Sequence, residues 1–273
     1  MAYQGWRDKT MRGATQQVTR GRRVKRMLVV AALAGLALFG GGLAYLTWLT
    51  SPVEFSHAVP AAPSLSIPGS ADGKGADGTG GAHSRLYHLD PARSEASYSA
   101  EEKLLSGGAD TPVKRVGTTQ AVAGDILLND IDVGASKIGE IVVDISQLTS
   151  GDQMRDNALR RQWLESSKFP LATFRSARLE GCPTAVREGQ LFTCRLSGEL
   201  TIHGITQSAT WVLEAQLRDN NLTGSATTEI KMSSFGVQLP EIMGTLKVLD
   251  DTDLKLDFVA VPGEAATGTQ PDR

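Results

Sequence analysis

The sequence predicts an all-β fold, an antiparallel barrel of about eight strands with a short helical insert. One transmembrane helix and a disordered linker are predicted to precede it. Three observations support this prediction. Apolar and polar residues alternate in many short segments between Leu86 and Ala260, one helical segment interrupts them, and an uncharged apolar run lies near the N-terminus.

The N-terminal part divides into a basic tail, residues 1–26, and an apolar run, residues 27–49, with no charge in 23 residues. At about 1.5 Å per residue the run is long enough to cross a hydrocarbon core of about 30 Å. The tail has eight basic residues and one acid, which predicts a cytoplasmic N-terminus by the positive-inside rule. The alternative is a cleaved signal peptide, whose apolar region is shorter and ends at a small-residue cleavage site. We therefore expect an uncleaved signal-anchor in the plasma membrane.

Residues 50–82 are rich in Pro and then in Gly, a composition that cannot bury enough apolar surface to offset the entropy of ordering. They predict a flexible linker with a span of roughly 30 Å. The folded domain is then expected at residues 83–262, followed by a disordered tail at 263–273.

Within the folded region, the alternation of period two predicts the strands. Expected strand residues are Leu86–Leu105, Val122–Leu128, Ile141–Ile145, Leu171–Leu179, Leu196–Ile202, Trp211–Leu217, Leu222–Ile230 and Leu254–Ala260, with turns at Asp219–Asn221 and Leu249–Asp251. One apolar face and one polar face, with no free edge, are typical of a barrel.

The helical insert is predicted from Asn157 to Leu164, where helix formers occur without Gly or Pro. Asp152 offers an N-cap, and Pro170 prevents continuation of a helix. A helix between strands is more typical of a barrel with a helical insert or lid than of a sandwich.

Three blocks of this chain are similar to the YceI-like family. They are Arg155-Asp156 with Arg160, the run from Lys168 to Phe174, and the run from Gly198 to Thr206. The resemblance covers roughly residues 83–262. It implies a lipocalin-like barrel that binds polyisoprenoid lipids in its interior.

Two positions depart from the family pattern. Arg93 stands where a histidine is common, and the block that usually reads Arg-Ser-Asp-Phe-Gly is Met232-Ser-Ser-Phe-Gly236 here. The missing arginine and aspartate argue against a polar headgroup contact in that block.

An eight-stranded barrel is either filled by its own side chains or able to hold one small ligand. Small residues on the predicted inward faces (Gly124, Gly198, Ala215, Gly224, Ala226 and Ala260) favour a cavity, and the alternative is that the glycines mark strand bends. Candidate lining residues are Trp163, Phe169, Phe174, Trp211 and Phe235, each of which could equally be core.

Arg155, Asp156 and Arg160 are candidates for a polar mouth that binds a pyrophosphate or a quinone carbonyl, because a guanidinium donates paired hydrogen bonds. The alternative is a helix start in which Asp156 favours the dipole and pairs with Arg160.

Cys182 and Cys194 flank a predicted loop between two strands, so a disulfide is expected outside the cytoplasm, with two free thiols as the alternative.

Neither a catalytic nor a metal site is expected. The four histidines lack ligand spacing, and His203 is expected to be a surface turn residue. Asn221 begins a glycosylation sequon, and whether this residue is modified is left open.

Without the basic tail the chain has 20 basic and 29 acidic residues, which argues against nucleic acid as a partner. The favoured function is an extracytoplasmic, membrane-anchored protein that holds a polyisoprenoid or similar chain and is not an enzyme. No cofactor is expected, apart from a bound isoprenoid lipid or quinone. The alternatives are a filled barrel that acts as a cell-surface structural or interaction module, and a lipid-headgroup enzyme. The oligomeric state is left open, with a homodimer as one option.

Overall fold

The computed structural model describes residues 83–104, 112–239, 241–242 and 246–263, with Thr47, Ser51 and residues 60–63 before them. The chain divides into two units, residues 1–52 and 53–273, and the fold described below lies in the second. The predicted membrane span at 27–49 lies outside the described residues, apart from Thr47. Within the described part of the chain, no helix combines the length and the apolar character needed to cross a bilayer.

The described residues of the second unit are mainly β-strand. The strands are β1 Ser84–Leu89, β2 Glu95–Leu104, β3 Val113–Thr119, β4 Val122–Ala123, β5 Asp125–Asn129, β6 Lys137–Ile138, β7 Glu140–Asp144, β8 Leu171–Glu180, β9 Leu191–Ile202, β10 Ile205–Arg218, β11 Asn221–Lys231, β12 Glu241–Ile242 and β13 Leu246–Pro262.

All neighbouring strands pair antiparallel in one sheet, in the order β4-β7-β8-β9-β10-β11-β13-β1-β5-β6, while β2 lies between β13 and β3. Gly124 alone separates β4 from β5. One short stretch therefore pairs with β7 through β4 and with β1 through β5. The sheet curls until its two ends meet at this stretch. The prediction of a mostly β, antiparallel and curled fold with one short helix is confirmed.

The described residues form thirteen strands where about eight were predicted, because long segments are interrupted. Pro91 starts a 3-10 turn capped by Asp90, which separates β1 from β2. Proline has no N–H for a ladder bond, so the break falls there. The buried Ser94 accepts a hydrogen bond from the Val259 amide (3.1 Å), which holds the break against β13.

The turn predicted at Leu249–Asp251 is wrong, because these residues lie inside β13. Pairing with β11 continues through Asp251, opposite Lys231. On the other edge a register shift separates Val248 from Thr252, so the local irregularity is a bulge in a continuous strand. The turn predicted at Asp219–Asn221 is confirmed, with positive φ at Asp219 and Asn220.

The helical insert starts earlier than predicted. Helix α1 is Gln153–Ala158, and a π turn, Leu159–Trp163, continues it. Asp152 caps it as expected, because its carboxylate accepts from the amides of Met154 (3.0 Å) and Arg155 (3.1 Å).

The Cys182–Cys194 disulfide is present and confirms that prediction. It ties the loop between β8 and β9 to the start of β9, with the two Cα atoms 4.6 Å apart. Closure of a loop of this size stabilises the fold by about 3 kcal/mol in the chain-entropy model.

Candidate functional site

The interior of the curled sheet contains a cavity of about 200 Å³, which we call the main cavity. Its wall is apolar over most of its surface, and its lining residues come from eight strands, the helical insert and connecting segments. Representative lining residues are Ile141, Leu159, Leu164, Leu200, Ile202 and Leu254. An apolar cavity of about 150 Å³ is known to stay dry and to bind benzene, so this one suits an apolar ligand.

A second apolar cavity of about 60 Å³, the minor cavity, is lined in part by residues of β1 and β5. Its wall includes Ile126, Leu128 and Phe258. The two cavities share four lining residues, whose side chains form a partition between them. They are Ile141, Leu196, Ala226 and Leu256. The interior space is therefore divided by apolar side chains alone.

Three charged residues that line the main cavity are joined by ion pairs, and we call this group the rim. Glu102 accepts a hydrogen bond from Arg115 Nε on one carboxylate oxygen (3.0 Å) and from Arg155 Nε on the other (3.3 Å). The exposed fraction of the side chain rises from 10% at Glu102 to 17% at Arg155 and 43% at Arg115. All three line the main cavity, so the rim connects the apolar interior to the solvent.

Two further side chains of the wall carry buried polar atoms. The Tyr98 hydroxyl and the Trp211 indole N–H are inaccessible and have no hydrogen-bond partner among the described residues. Burial of Tyr98, reinforced by the charge of Asp156, raises the pKa of its hydroxyl to about 12. The hydroxyl is therefore protonated at neutral pH and can donate.

The structure separates the five predicted lining residues into two groups. Trp163, Phe174 and Trp211 line the main cavity, with the Phe174 and Trp211 rings 5.8 Å apart in an edge-to-face arrangement. Phe169 and Phe235 lie elsewhere. Phe169 packs edge-on against the His203 ring at 4.5 Å, and Phe235 is buried in the core.

The three residues of the predicted polar mouth also lie in two different places. Arg155 lies on the rim, but Asp156 and Arg160 are buried and bind the loop that precedes the helix. Asp156 accepts from the Ser150 amide (2.9 Å) and hydroxyl (2.6 Å) and from the Thr149 hydroxyl (3.0 Å). Arg160 donates to the carbonyls of Ser146 and Leu148, each at 2.8 Å. Burial lowers the pKa of Arg160, and the charge of Asp156 opposes this shift.

His203 occupies the predicted turn, but it is half-buried and connects three segments. Its Nε2 lies 2.8 Å from the carboxylate of Glu165, and its Nδ1 lies 3.2 Å from the carbonyl oxygen of Phe235. The expectation of a plain surface residue is wrong, because the segment after the helix folds back over the β9–β10 turn. Hydrogen bonding to His203, more than the charge of Lys168, holds the pKa of Glu165 below its usual range.

A pH prediction follows from this contact. Glu165 is ionised in both states at neutral pH, and on acidification the unfolded chain takes up its proton first, near the ordinary value of 4.5. Stability should therefore fall as the pH drops from about 5 through the lowered pKa. We expect Glu165→Gln to flatten this part of the profile of unfolding free energy against pH, measured by urea denaturation. Glu95→Gln, on an exposed strand position, is the control and should keep the wild-type slope.

The small residues predicted to create a cavity have two different roles. Ala226 lines both cavities and Ala215 lines the minor one. In contrast, a Cβ on Gly198 would overlap the carbonyl oxygen of Arg175, and one on Gly224 would overlap that of Glu214. These glycines allow close approach of neighbouring strands, a role that differs from both the cavity and the strand bends considered from the sequence.

The rim residues Glu102 and Arg115 and the wall residue Tyr98 were not predicted. Alternation along β2 placed Tyr98, Ala100 and Glu102 on one face, and a glutamate on the face of a tyrosine was the available signal. Within the described residues, no group of three His, Cys, Asp or Glu side chains could hold a metal ion.

A curled antiparallel sheet around an apolar cavity defines a class of small-molecule binding proteins. The model of the YceI-like domain matches residues 87–260, which is more than half of the chain, so the protein belongs to the YceI-like family. This is a family of binding proteins.

Solved structures match part of the chain at low sequence identity. BcnA of Burkholderia cenocepacia is 19% identical, with a TM-score of 0.49 over 63% of this chain and 99% of its own. A polyisoprenoid binding domain from Saccharophagus degradans, implicated in plant cell wall breakdown, is 14% identical, with a TM-score of 0.49 over 65% of this chain and 98% of its own. No curated protein matches the chain.

Proposed function

We propose that this protein binds an apolar lipid chain, of isoprenoid or similar type, inside its curled sheet, and that it sequesters or transfers the lipid without chemical change. The main cavity is the observation that carries the proposal, because it lies inside the fold and its wall is almost entirely apolar. Membership of the YceI-like family supports the same class of ligand.

The size of the cavity sets how much of the ligand is held. Small-molecule pockets usually have volumes of about 300–1,000 Å³. The main cavity has about 200 Å³, so it takes the end of a chain and leaves a longer remainder outside. Each isoprene unit that buries roughly 100 Å² contributes about 2.5 kcal/mol before ordering costs, so a few units give useful affinity.

The protein acts at the outer face of the plasma membrane in this proposal, held by residues 27–49. The apolar run and the basic residues on its N-terminal side support this location. The Cys182–Cys194 disulfide is independent support, since disulfides persist in oxidising compartments. The lipid is then taken from the same membrane.

The test is co-purification of lipid with the full chain. The protein is extracted from its membrane in a mild non-ionic detergent, and native mass spectrometry is combined with organic extraction of the same sample. We expect a stoichiometric adduct that extracts as a chain of isoprenoid type. A bare protein mass that persists after incubation with polyprenyl lipids would contradict the proposal and favour a filled barrel that binds a protein partner.

A further inference from the structure

His203 joins three segments of the chain, and each of them also supplies wall of the main cavity. Its Nε2 lies 2.8 Å from the carboxylate of Glu165, after the insert, and its Nδ1 lies 3.2 Å from the carbonyl oxygen of Phe235. We call this three-way contact the clasp. The nearest cavity-lining residues in these three segments are Leu164, Ile202 and Val237. The clasp therefore holds together three parts of one wall.

The clasp places a hydrogen-bond acceptor opposite each nitrogen of the His203 ring. An ionised carboxylate and a carbonyl oxygen can only accept, and a neutral imidazole has a single N–H to donate. The imidazolium has two. Both contacts can therefore form together only when the ring carries a proton on each nitrogen. A neutral ring turns a lone pair toward one of the two oxygens.

The charged groups near the ring come from two sides. The Lys168 ammonium, 3.9 Å from the Glu165 carboxylate, opposes a charge on His203, but its side chain is 68% exposed and is screened by solvent. On the other side, the 3-10 turn Met232–Phe235 contains no charged residue, and Asp250 binds its backbone. The carboxylate of the clasp is thus the charge in direct contact with the ring.

Both side chains of the Glu165–His203 contact are attached to unusual backbone. The angle φ is 45° at Glu165 and 54° at His203, in the left-handed region that residues other than glycine rarely adopt. Such conformations persist only where the surrounding contacts over-determine them. The clasp therefore keeps the end of the insert in a conformation that this part of the chain would not adopt alone.

The insert is held by different chemistry at its two ends. Toward its start, Asp156 accepts hydrogen bonds from the loop before the helix, and Arg160 donates to two carbonyls of that loop. A guanidinium keeps its charge at physiological pH. At its end, the insert depends on an imidazole, the side-chain group whose charge changes around neutral pH. One end is therefore fixed, and the other responds to pH.

We propose that the clasp is a pH-dependent latch on the main cavity. With the His203 imidazolium, the end of the insert stays closed against the wall. Loss of one ring proton breaks one of the two contacts, frees this end and speeds exchange of the bound chain. Protonation of Glu165 at lower pH removes the charged partner, so the closed range is limited on both sides. This inference rests on the proposed function and adds regulation of the same cavity.

The experiment measures release of a dansyl-labelled farnesol from the full chain in a non-ionic detergent. The complex is mixed with an excess of unlabelled geranylgeraniol, and the fluorescence change gives the release rate at about pH 5.5 and about pH 8, on either side of the usual imidazole titration. A charge-assisted hydrogen bond is lost between the two conditions. We therefore expect the wild type to release the probe about fivefold faster, or more, at the higher pH.

His203→Gln should remove this pH dependence, because an amide does not titrate, and its release should be as fast as that of the wild type at the higher pH. Glu165→Gln is the second variant. Its amide can donate to a neutral ring or accept from a charged one, so pH dependence should again be lost. His88→Gln is the matched control. His88 also contacts a carboxylate, that of Asp125 at 2.6 Å, but neither residue lines a cavity. This variant should keep the wild-type behaviour.

Nitrogen-15 NMR of the histidine side chains tests the protonation state without any variant. Both ring nitrogens of His203 should show the protonated chemical shift at about pH 5.5, and one of them should lose it at about pH 8. A neutral ring under both conditions would contradict the latch.

Two other negative results have different meanings. Equal release rates of the wild type at the two pH values, or a pH dependence that survives in both clasp variants, overturn the latch and leave lipid binding intact. Failure of the probe to bind at both pH values overturns the proposed function itself.

Discussion

Replacement of Ala226 by leucine should abolish most of the lipid binding while the sheet still folds. Ala226 lies in the middle of β11, is buried and lines both cavities. A leucine adds three carbon atoms to a space of about 200 Å³ that the ligand would otherwise occupy. We expect the affinity for a long isoprenoid alcohol to fall at least tenfold, which corresponds to about 1.4 kcal/mol.

The neighbouring position provides the control for this prediction. Thr227 follows Ala226 in the same strand, and its side chain is exposed on the outer face of the sheet. Thr227→Leu introduces the same side chain outside the cavity and should bind like the wild type. Overpacking a core costs about 1–3 kcal/mol, so urea unfolding of Ala226→Leu should show a folded but less stable protein. Unchanged affinity in a folded Ala226→Leu protein would place the ligand elsewhere.

The positions of most strands along the chain could be predicted from the sequence because alternation of period two is set by burial of one face. In β9, for example, Leu196 and Leu200 are buried in the core, while Arg195 and Glu199 next to them are exposed. The cap at Asp152 was equally predictable, since its carboxylate binds amides only two and three residues away. Such local signals do not depend on the rest of the fold.

The rim could not be predicted in the same way, because its three residues come from different parts of the chain. Glu102 is in β2, Arg115 is in β3 and Arg155 is in α1. Only the pairing of β2 with β3 and the position of the insert bring them together. The sequence grouped Arg155 with Asp156 and Arg160 instead, and helical spacing pairs Asp156 with Arg160 at i,i+4. It could not show that they bind the 146–150 loop.

The partition between the two cavities leads to the second prediction, in which Leu196→Ala lengthens the chain that the protein can accommodate. Leu196 is buried in β9, and its side chain separates the main cavity from the minor cavity. Its truncation should join about 200 Å³ to about 60 Å³ of apolar space. Removal of a buried leucine side chain typically costs about 2–5 kcal/mol of stability, and part of this cost should be recovered when a ligand fills the space.

The measurement is a series of isoprenoid alcohols of increasing length, with the dissociation constant determined for each. In the wild type, the gain in affinity per added unit should end at the length that fills the main cavity. In Leu196→Ala it should continue to a longer chain. Thermal stability gives a second reading, because the longer ligands should raise the Tm of the variant more than that of the wild type.

Leu222→Ala separates joining of the cavities from simple enlargement. Leu222 is buried and lines the minor cavity but not the main one, so its truncation enlarges the minor cavity and leaves the partition in place. This variant should lose stability like Leu196→Ala and keep the chain-length limit of the wild type. Ile141→Val, which costs only about 0.5–1.5 kcal/mol, thins the partition by one methyl group and allows the test if Leu196→Ala does not fold. An identical limit in the wild type and both partition variants would show that the chain stops before it reaches Leu196.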